Sequence, residues 1–243
     1  SIDGGSGEVV GAALKVEDGT GAVDLPGLDL LLSWADEVRG ERIKVLANAD
    51  RAEDAVRARA FGAEGIGLCR TEHLFLGDRL QLVKTFLMAT STNEETEALV
   101  ALGEMQREDL AALLIAIAPL PVTVRLLDAP LHEFLGDDAP KEWREHNPML
   151  GTRGIRLAVL REGLYRMQTR AVLAAIDDAR DAGCHTRVAL MLPLVSTVAE
   201  LVLVREWVLA EIESWETADP PAVGAMIETP RAALMAGEMA MHA

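Results

Sequence analysis

From about residue 43 onward the sequence alternates short, β-branched apolar runs with longer stretches of helical periodicity, and no other feature limits the fold as strongly. The first run, Ile43 to Asn48, is followed by a helix expected from about Arg51 to Phe61 that stops at Gly62. Gly65 to Cys69 reads as a second strand. The helix from about Glu94 to Ala118 then carries Ala98, Leu102, Met105, Leu110, Leu113, Leu114 and Ile117 on one face and ends at Pro119. Val122 to Leu127 is the third strand. A long loop leads to a helix from about Leu164 to Asp181, closed by Gly183, and to a fourth strand, Arg187 to Leu192. A further helix with Val198, Leu201, Val208 and Ile212 on one face precedes the fifth strand, Val223 to Ile227, and a closing helix from Pro230.

Such alternation implies parallel strands joined by right-handed helical crossovers. Two architectures satisfy it, an open doubly wound sheet or a (β/α)8 barrel, and the pattern does not choose between them. About five βα units are present where a barrel needs eight, so a barrel reading implies a partial one. Residues 1–30 are Gly-rich, with short stretches at 8–10 and 21–25 that read as turns and small strands, and they are expected to be a linker or the tail of a neighbouring domain.

Composition narrows the partners. Lys and Arg total 23 against 39 Asp and Glu, for a net charge of −16, which argues against a broad phosphate-backbone footprint and therefore against nucleic acid. Any bound anion must be held by a few placed arginines. Cys69 and Cys184 lie far apart with no metal-ligand spacing, so neither a disulfide framework nor a zinc site is indicated and a cytoplasmic location is expected. The longest apolar stretch, about Ala111 to Val122, is too short and too proline-rich to span a membrane.

In either architecture, ligands meet the protein at the carboxyl ends of the strands. Strand two runs into Arg70-Thr71-Glu72-His73, strand three contains Arg125 and ends at Asp128, and strand five ends at Glu228, ahead of Pro230 and Arg231. Two or three arginine forks aimed into one mouth suit a small phosphorylated acid. The plainer alternative is structural pairing, Arg70 with Glu72 or Glu64 and Arg125 with Asp128. Glu228 offers a hard oxygen ligand to magnesium, or is simply a carboxylate at a helix start. The connection from Asp128 to Leu150 holds His132, Glu133 and His146 without ligand spacing. Asn147 to Gly154 reads as a turn opening onto a helix, where Arg153 and backbone amides could receive an anion. Cys69, at the end of a buried strand with no evident base, is given no role. No GxxxxGK[ST], GxGxxG or GxSxG motif occurs.

Four ordered stretches together resemble the phosphoenolpyruvate-utilising enzymes, and among them the pyruvate, phosphate dikinases. They are Gly65-Ile66-Gly67-Leu68-Cys69-Arg70-Thr71-Glu72-His73, Val124 to Phe134, Asn147-Pro148-Met149-Leu150-Gly151-Thr152-Arg153-Gly154, and Met226-Ile227-Glu228-Thr229-Pro230-Arg231-Ala232. Residues 1–20, with Ile2 to Val9, are similar to the segment that leaves the family's phosphohistidine domain. The resemblance implies that residues 31–243 are the N-terminal part of a pyruvate/phosphoenolpyruvate-binding TIM barrel, in which pyruvate exchanges a phosphoryl group with a histidine on a separate domain. It implies Arg70, Arg125 and Arg153 as ligands of phosphoryl and carboxylate oxygens and Glu228 as a Mg2+ ligand.

By the same resemblance, a second magnesium ligand in a Gly-Thr-Asn-Asp motif and an enolate-protonating cysteine belong beyond Ala243. The phosphohistidine and ATP-binding domains would be the partners in a parent chain, and the piece in hand would be inactive alone. Ala129 and Thr152 are minor departures from the family pattern. Competing readings are a phosphoenolpyruvate synthase-like enzyme, a magnesium-dependent carbon–carbon lyase of the same barrel type, and a non-catalytic truncated protein that binds a partner. An unfinished barrel also leaves strand edges uncovered, so homodimerisation or other self-association through strands one and five is expected.

Overall fold

The computed structural model describes residues 9, 27–75, 77–136 and 147–243, without the side chains at 78, 132, 133 and 148. The expected short strands at 8–10 and 21–25 and the similar segment 1–20, all but Val9, together with the side chains of His132 and Glu133, and His146, lie outside the described residues. Contacts divide the chain into 1–44 and 45–243. The first unit contributes α1 (Leu28–Arg39), a helix that the sequence reading did not anticipate. It ends on a hydrogen bond from Gly40 N–H to Asp36 O, with Arg39 paired to Asp36 at 2.8 Å.

The second unit carries β1 (Ala47–Asn48), α2 (Ala52–Ala60), β2 (Ile66–Arg70), α3 (Leu80–Met88), α4 (Thr92–Ile117), β3 (Val122–Arg125), α5 (Leu131–Leu135), α6 (Gly154–Leu160), α7 (Glu162–Asp181), β4 (Val188–Leu192), α8 (Val198–Trp215), β5 (Ala222–Ala225), α9 (Pro230–Leu234) and α10 (Ala236–Met239). All strand pairs are parallel and the order is β1-β2-β3-β4-β5. That order decides what periodicity left open. A doubly wound sheet reverses its strand order at a switch point, whereas a barrel adds each strand beside the last. The sheet is the unclosed wall of a partial TIM barrel.

Local chemistry explains the element ends. Gly62 and Gly183 take φ of 86° and 77°, and at each the following residue's N–H reaches back to close a Schellman turn, Ala63 to Ala58 O and Cys184 to Ala179 O. Ser91 caps α4 and Thr197 with Glu200 forms a full capping box on α8. In β4, Val188, Leu190 and Leu192 are buried under the helices, while Ala189 and Met191 on the other face are half-buried because no wall closes over them. Leu113, Leu114 and Ile117 of α4, Tyr165 and Val172 of α7, and Leu201, Val204 and Val208 of α8 complete that core.

Four strands are shorter than their sequences suggest, β4 only by Arg187. β1 was expected from Ile43 but only Ala47–Asn48 pair: the Val45 N–H goes to the Glu64 carboxylate instead of a ladder partner, and the register shifts at Ala47. β3 stops at Arg125 because the Leu127 N–H turns to a side chain, Gln168 Oε1 at 2.8 Å. β5 runs Ala222–Ala225, with Met226 N–H still bonded to Leu192 O and Ile227 already exposed. The crossovers also hold more helix than expected, α3 after β2 and α5 within the long connection after β3, while α6 is the helix onto which the 147–154 turn opens.

Candidate functional site

The carboxyl ends of β2 and β3 lie side by side, with Arg70 opposite Arg125 in the parallel register. Each arginine rests on carboxylates. Arg125 Nη2 donates to Glu72 Oε1 and its Nη1 stands 3.5 Å from Asp128 Oδ2; all three side chains are at least nine-tenths buried. Asp128, at 2% exposure, also accepts from Arg153: Nε reaches Oδ1 at 2.7 Å and Nη2 the Asp128 carbonyl at 3.0 Å. Met226 Sδ, two residues before Glu228, lies 3.7 Å from Arg125 Nη1.

Arg70 belongs to a second group. The structural alternative paired it with Glu72 or Glu64, but its partner is Asp50, just after β1: Arg70 Nη2 reaches Oδ2 at 3.0 Å and the Arg70 backbone N–H reaches Oδ1 at 2.7 Å. His73 Nδ1 meets the same Oδ2 at 2.6 Å. Burial raises the Asp50 carboxyl, but these hydrogen bonds and the guanidinium outweigh it and hold the group below its ordinary value of 3.8. Burial pushes Glu72 above its ordinary 4.5, with Arg125 pulling it part of the way back. Cys69 is fully buried and its thiol is pushed far up, first by burial and then by the Asp50 and Glu72 charges, as suits a core residue and not a nucleophile.

Glu228 follows β5 immediately ahead of Thr229, which caps α9 with Pro230 at its first position. Its Oε1 accepts the Leu194 N–H at 2.8 Å. Leu194 itself has φ of 59° and is fully buried, a left-handed leucine at the end of β4 that its surroundings must hold in place. Gly154, at φ 55°, packs so tightly here that a Cβ would lie 2.9 Å from Leu194 Cβ and 3.0 Å from Asp128 Oδ1. Arg125, Arg153 and Glu228 are therefore linked through Asp128, Gly154 and Leu194, while Arg70 stands with Asp50 and His73.

Two of the guanidiniums, those of Arg70 and Arg125, are not saturated. Among the described residues, Arg70 Nε, Arg125 Nε and Glu72 Oε2 are buried without a hydrogen-bond partner. As for magnesium, no group of three His, Cys, Asp or Glu side chains among the described residues could hold a metal ion. Glu228 fits as a single ligand, a half-buried hard-oxygen donor, in the manner of magnesium sites completed by substrate oxygens and water.

Comparison with known proteins bears on these residues. Residues 30–243 match the family model described as PEP-utilising enzyme, PEP-binding domain. The chain belongs to this family. Among curated relatives, pyruvate, phosphate dikinase 1, chloroplastic, of Arabidopsis thaliana is 41% identical over 271 residues, covering 100% of this chain and 28% of the relative. The Mesembryanthemum crystallinum pyruvate, phosphate dikinase, chloroplastic, is 40% identical with the same shares, and pyruvate, phosphate dikinase 2 of Zea mays is 38% identical, covering 100% of this chain and 30% of the relative. The chain thus spans under a third of those relatives.

Within this PEP-binding domain, reasoning from strand ends and from the turn at 147–154 found the four candidate ligands and paired Arg125 with Asp128, but missed Asp50 as the partner of Arg70. Asp50 was accessible to the same rule, since it follows β1 as Glu72 follows β2. Tyr165, Gln168 and Leu194 carried no such signal, because their roles depend on which helix face packs against which loop. No helix among the described residues is long and apolar enough to cross a membrane.

Proposed function

We propose that this domain binds pyruvate and phosphoenolpyruvate and serves phosphoryl transfer between a phosphohistidine and pyruvate in a pyruvate, phosphate dikinase. The observation that carries the reading is the pair of adjacent strand-end arginines, Arg70 and Arg125, each with a buried Nε left without a partner beside carboxylate-anchored neighbours. Phosphoryl transfer demands little covalent chemistry from the protein and much positioning and charge stabilisation. In this reading Arg70, Arg125 and Arg153 hold phosphoryl and carboxylate oxygens, Asp50 and Asp128 fix the forks, and Glu228 is one ligand of Mg2+, which when bound neutralises charge on the transferring group. The phosphohistidine and ATP-binding domains of a longer chain supply the donor. Both cysteines are free thiols, which supports a reducing compartment such as the cytoplasm.

Magnesium-dependent binding of phosphoenolpyruvate, measured by calorimetry on the full-length chain, tests this directly. Binding that disappears without Mg2+ and weakens on the order of 100-fold in Glu228→Ala is the expected result. A folded full-length chain that shows no heat of binding with Mg2+ present rejects the proposal.

The same open sheet supports self-association. Among the described residues β1 pairs only with β2 and β5 only with β4, and Leu234 and Met241 beyond β5 are 89% and 75% exposed. Sedimentation of this 243-residue piece should show concentration-dependent dimers or larger species; a single monomer boundary at high concentration removes the idea.

A further inference from the structure

Behind the strand-end arginines lies a buried polar assembly with no ligand of its own. Tyr165 and Gln168, one turn apart on α7, hold the two polar groups of a single residue, Leu127. Tyr165 Oη donates to the Leu127 carbonyl at 2.9 Å, and Gln168 Oε1 accepts the Leu127 N–H at 2.8 Å. Leu127 sits between Arg125 and Asp128, so the peptide that joins the two charged groups is gripped on both sides. Gln168 Nε2 then donates to Thr71 Oγ1 at 3.1 Å, next to Glu72, and to Gln106 Oε1 of α4 at 3.2 Å. Tyr165, Gln168, Thr71 and Gln106 are all fully buried.

We infer that Tyr165 and Gln168 are positioning residues that lock the ends of β2 and β3 together, so that Arg125, Glu72 and Asp128 present one fixed arrangement to a bound anion. Four buried hydrogen bonds on one two-residue motif cross-link segments 38 to 97 residues apart in sequence. Three of the four hold groups beside the charged cluster, the Leu127 N–H and carbonyl next to Asp128 and Thr71 Oγ1 next to Glu72, and the fourth anchors Gln168 to Gln106 of α4. Leu127 could have continued the β3 ladder with its N–H; it leaves the sheet to meet Gln168 instead. Burial keeps the Tyr165 phenol protonated far past neutral pH, so its donor role does not vary with conditions. A rigid backing of this type matters because small displacements of a binding group cost far more than the hydrogen bond that prevents them.

This inference rests on the proposed binding of phosphoenolpyruvate, and its test separates the two. In the full-length chain, Gln168→Leu and Tyr165→Phe are made alone and combined with Arg125→Lys or Glu228→Gln. Phosphoenolpyruvate affinity is measured by calorimetry with Mg2+, and amide exchange over residues 122–128 is measured without ligand. Gln168→Leu should weaken phosphoenolpyruvate on the order of 10-fold or more, with little further loss in the Arg125→Lys background and full additivity with Glu228→Gln. Exchange at Leu127 should speed up in the same variant. Loss that adds fully to Arg125→Lys marks a merely structural contribution and overturns the inference. If Gln168→Leu does not fold, Tyr165→Phe, which removes one oxygen, decides by the same criterion. Should the unaltered chain not bind phosphoenolpyruvate, the functional reading falls, and unchanged exchange over 122–128 in Gln168→Leu overturns the lock as well.

Discussion

Two places in this domain set arginines on a buried glutamate, and they behave differently. Between α7 and α8, Glu211 receives Arg166 Nη1 at 2.9 Å on Oε1, and Arg170 through Nε at 2.6 Å on Oε2 and Nη2 at 2.9 Å on Oε1. Both oxygens are used, the arginines keep 27% and 57% of their side chains in solvent, and burial is outweighed so that the carboxyl is held below its ordinary 4.5. At the ends of β2 and β3, Glu72 has one oxygen on Arg125 and the other without a partner among the described residues, Arg125 lacks a partner at Nε, and burial wins so that the carboxyl is pushed up. A satisfied network on the outer helices is architecture. An unsatisfied one at strand ends has capacity left for a ligand. An orphaned atom alone is no marker, since Arg205 Nε and Thr217 Oγ1 also have no partner among the described residues; position and unsatisfied capacity must coincide.

The comparison breaks most visibly under deletion of a charge. Arg125→Ala should abolish phosphoenolpyruvate binding in the full-length chain, a loss on the order of 100- to 1,000-fold. It should also cost about 3–5 kcal/mol of stability, because Glu72 and Asp128 would remain buried without their cation. Glu211→Gln should leave phosphoenolpyruvate affinity unchanged and cost only about 1–2 kcal/mol, discounted because both arginines already reach solvent. Calorimetric titration and urea unfolding of the two variants read both quantities. If Glu211→Gln weakens binding as much as Arg125→Ala does, the distinction between the two networks is wrong.

Much of this contrast was legible in the sequence and part of it was not, for identifiable reasons. The five strands, α2, α4, α7 and α8 follow from periodicity, and Gly62 and Gly183 end α2 and α7, and Pro230 opens α9, by local geometry that needs no tertiary context. α1 was hidden because Leu28–Arg39 directly follows a Gly-rich stretch, and α3 because Leu80–Met88 is short, with a polar face of only Gln81, Lys84 and Thr85. Barrel against doubly wound sheet is a matter of strand order, which periodicity does not encode. At the site, Arg70, Arg125 and Glu228 were located because strand ends are local, and Arg153 because a turn opening onto a helix is. The pairing of Arg125 with its near neighbour Asp128 was legible too, but that of Arg70 was not, as the exchange of Glu72 or Glu64 for Asp50 shows: Asp50 lies 20 residues away, across a whole βα unit.

The smallest effect is also the sharpest test of the difference, because the two glutamates titrate in opposite senses. Glu211 has a depressed folded value, so its contribution is fully present above the unfolded value of about 4.5 and is lost as pH falls through the folded one. Glu72 has a raised folded value, so the native state holds its proton more tightly than the unfolded chain, and its contribution declines as pH rises from 4.5 toward that raised value. Urea midpoints followed from pH 3 to 7 should therefore show the stability gap between parent and Glu211→Gln opening with rising pH below 4.5 and then staying constant. The gap between parent and Glu72→Gln should change in the opposite direction above 4.5, as the unaltered chain loses what the variant never had. Parallel gaps would mean that Arg125 neutralises Glu72 as completely as Arg166 and Arg170 neutralise Glu211. The strand-end cluster would then be a closed ion pair with nothing left over for an anion.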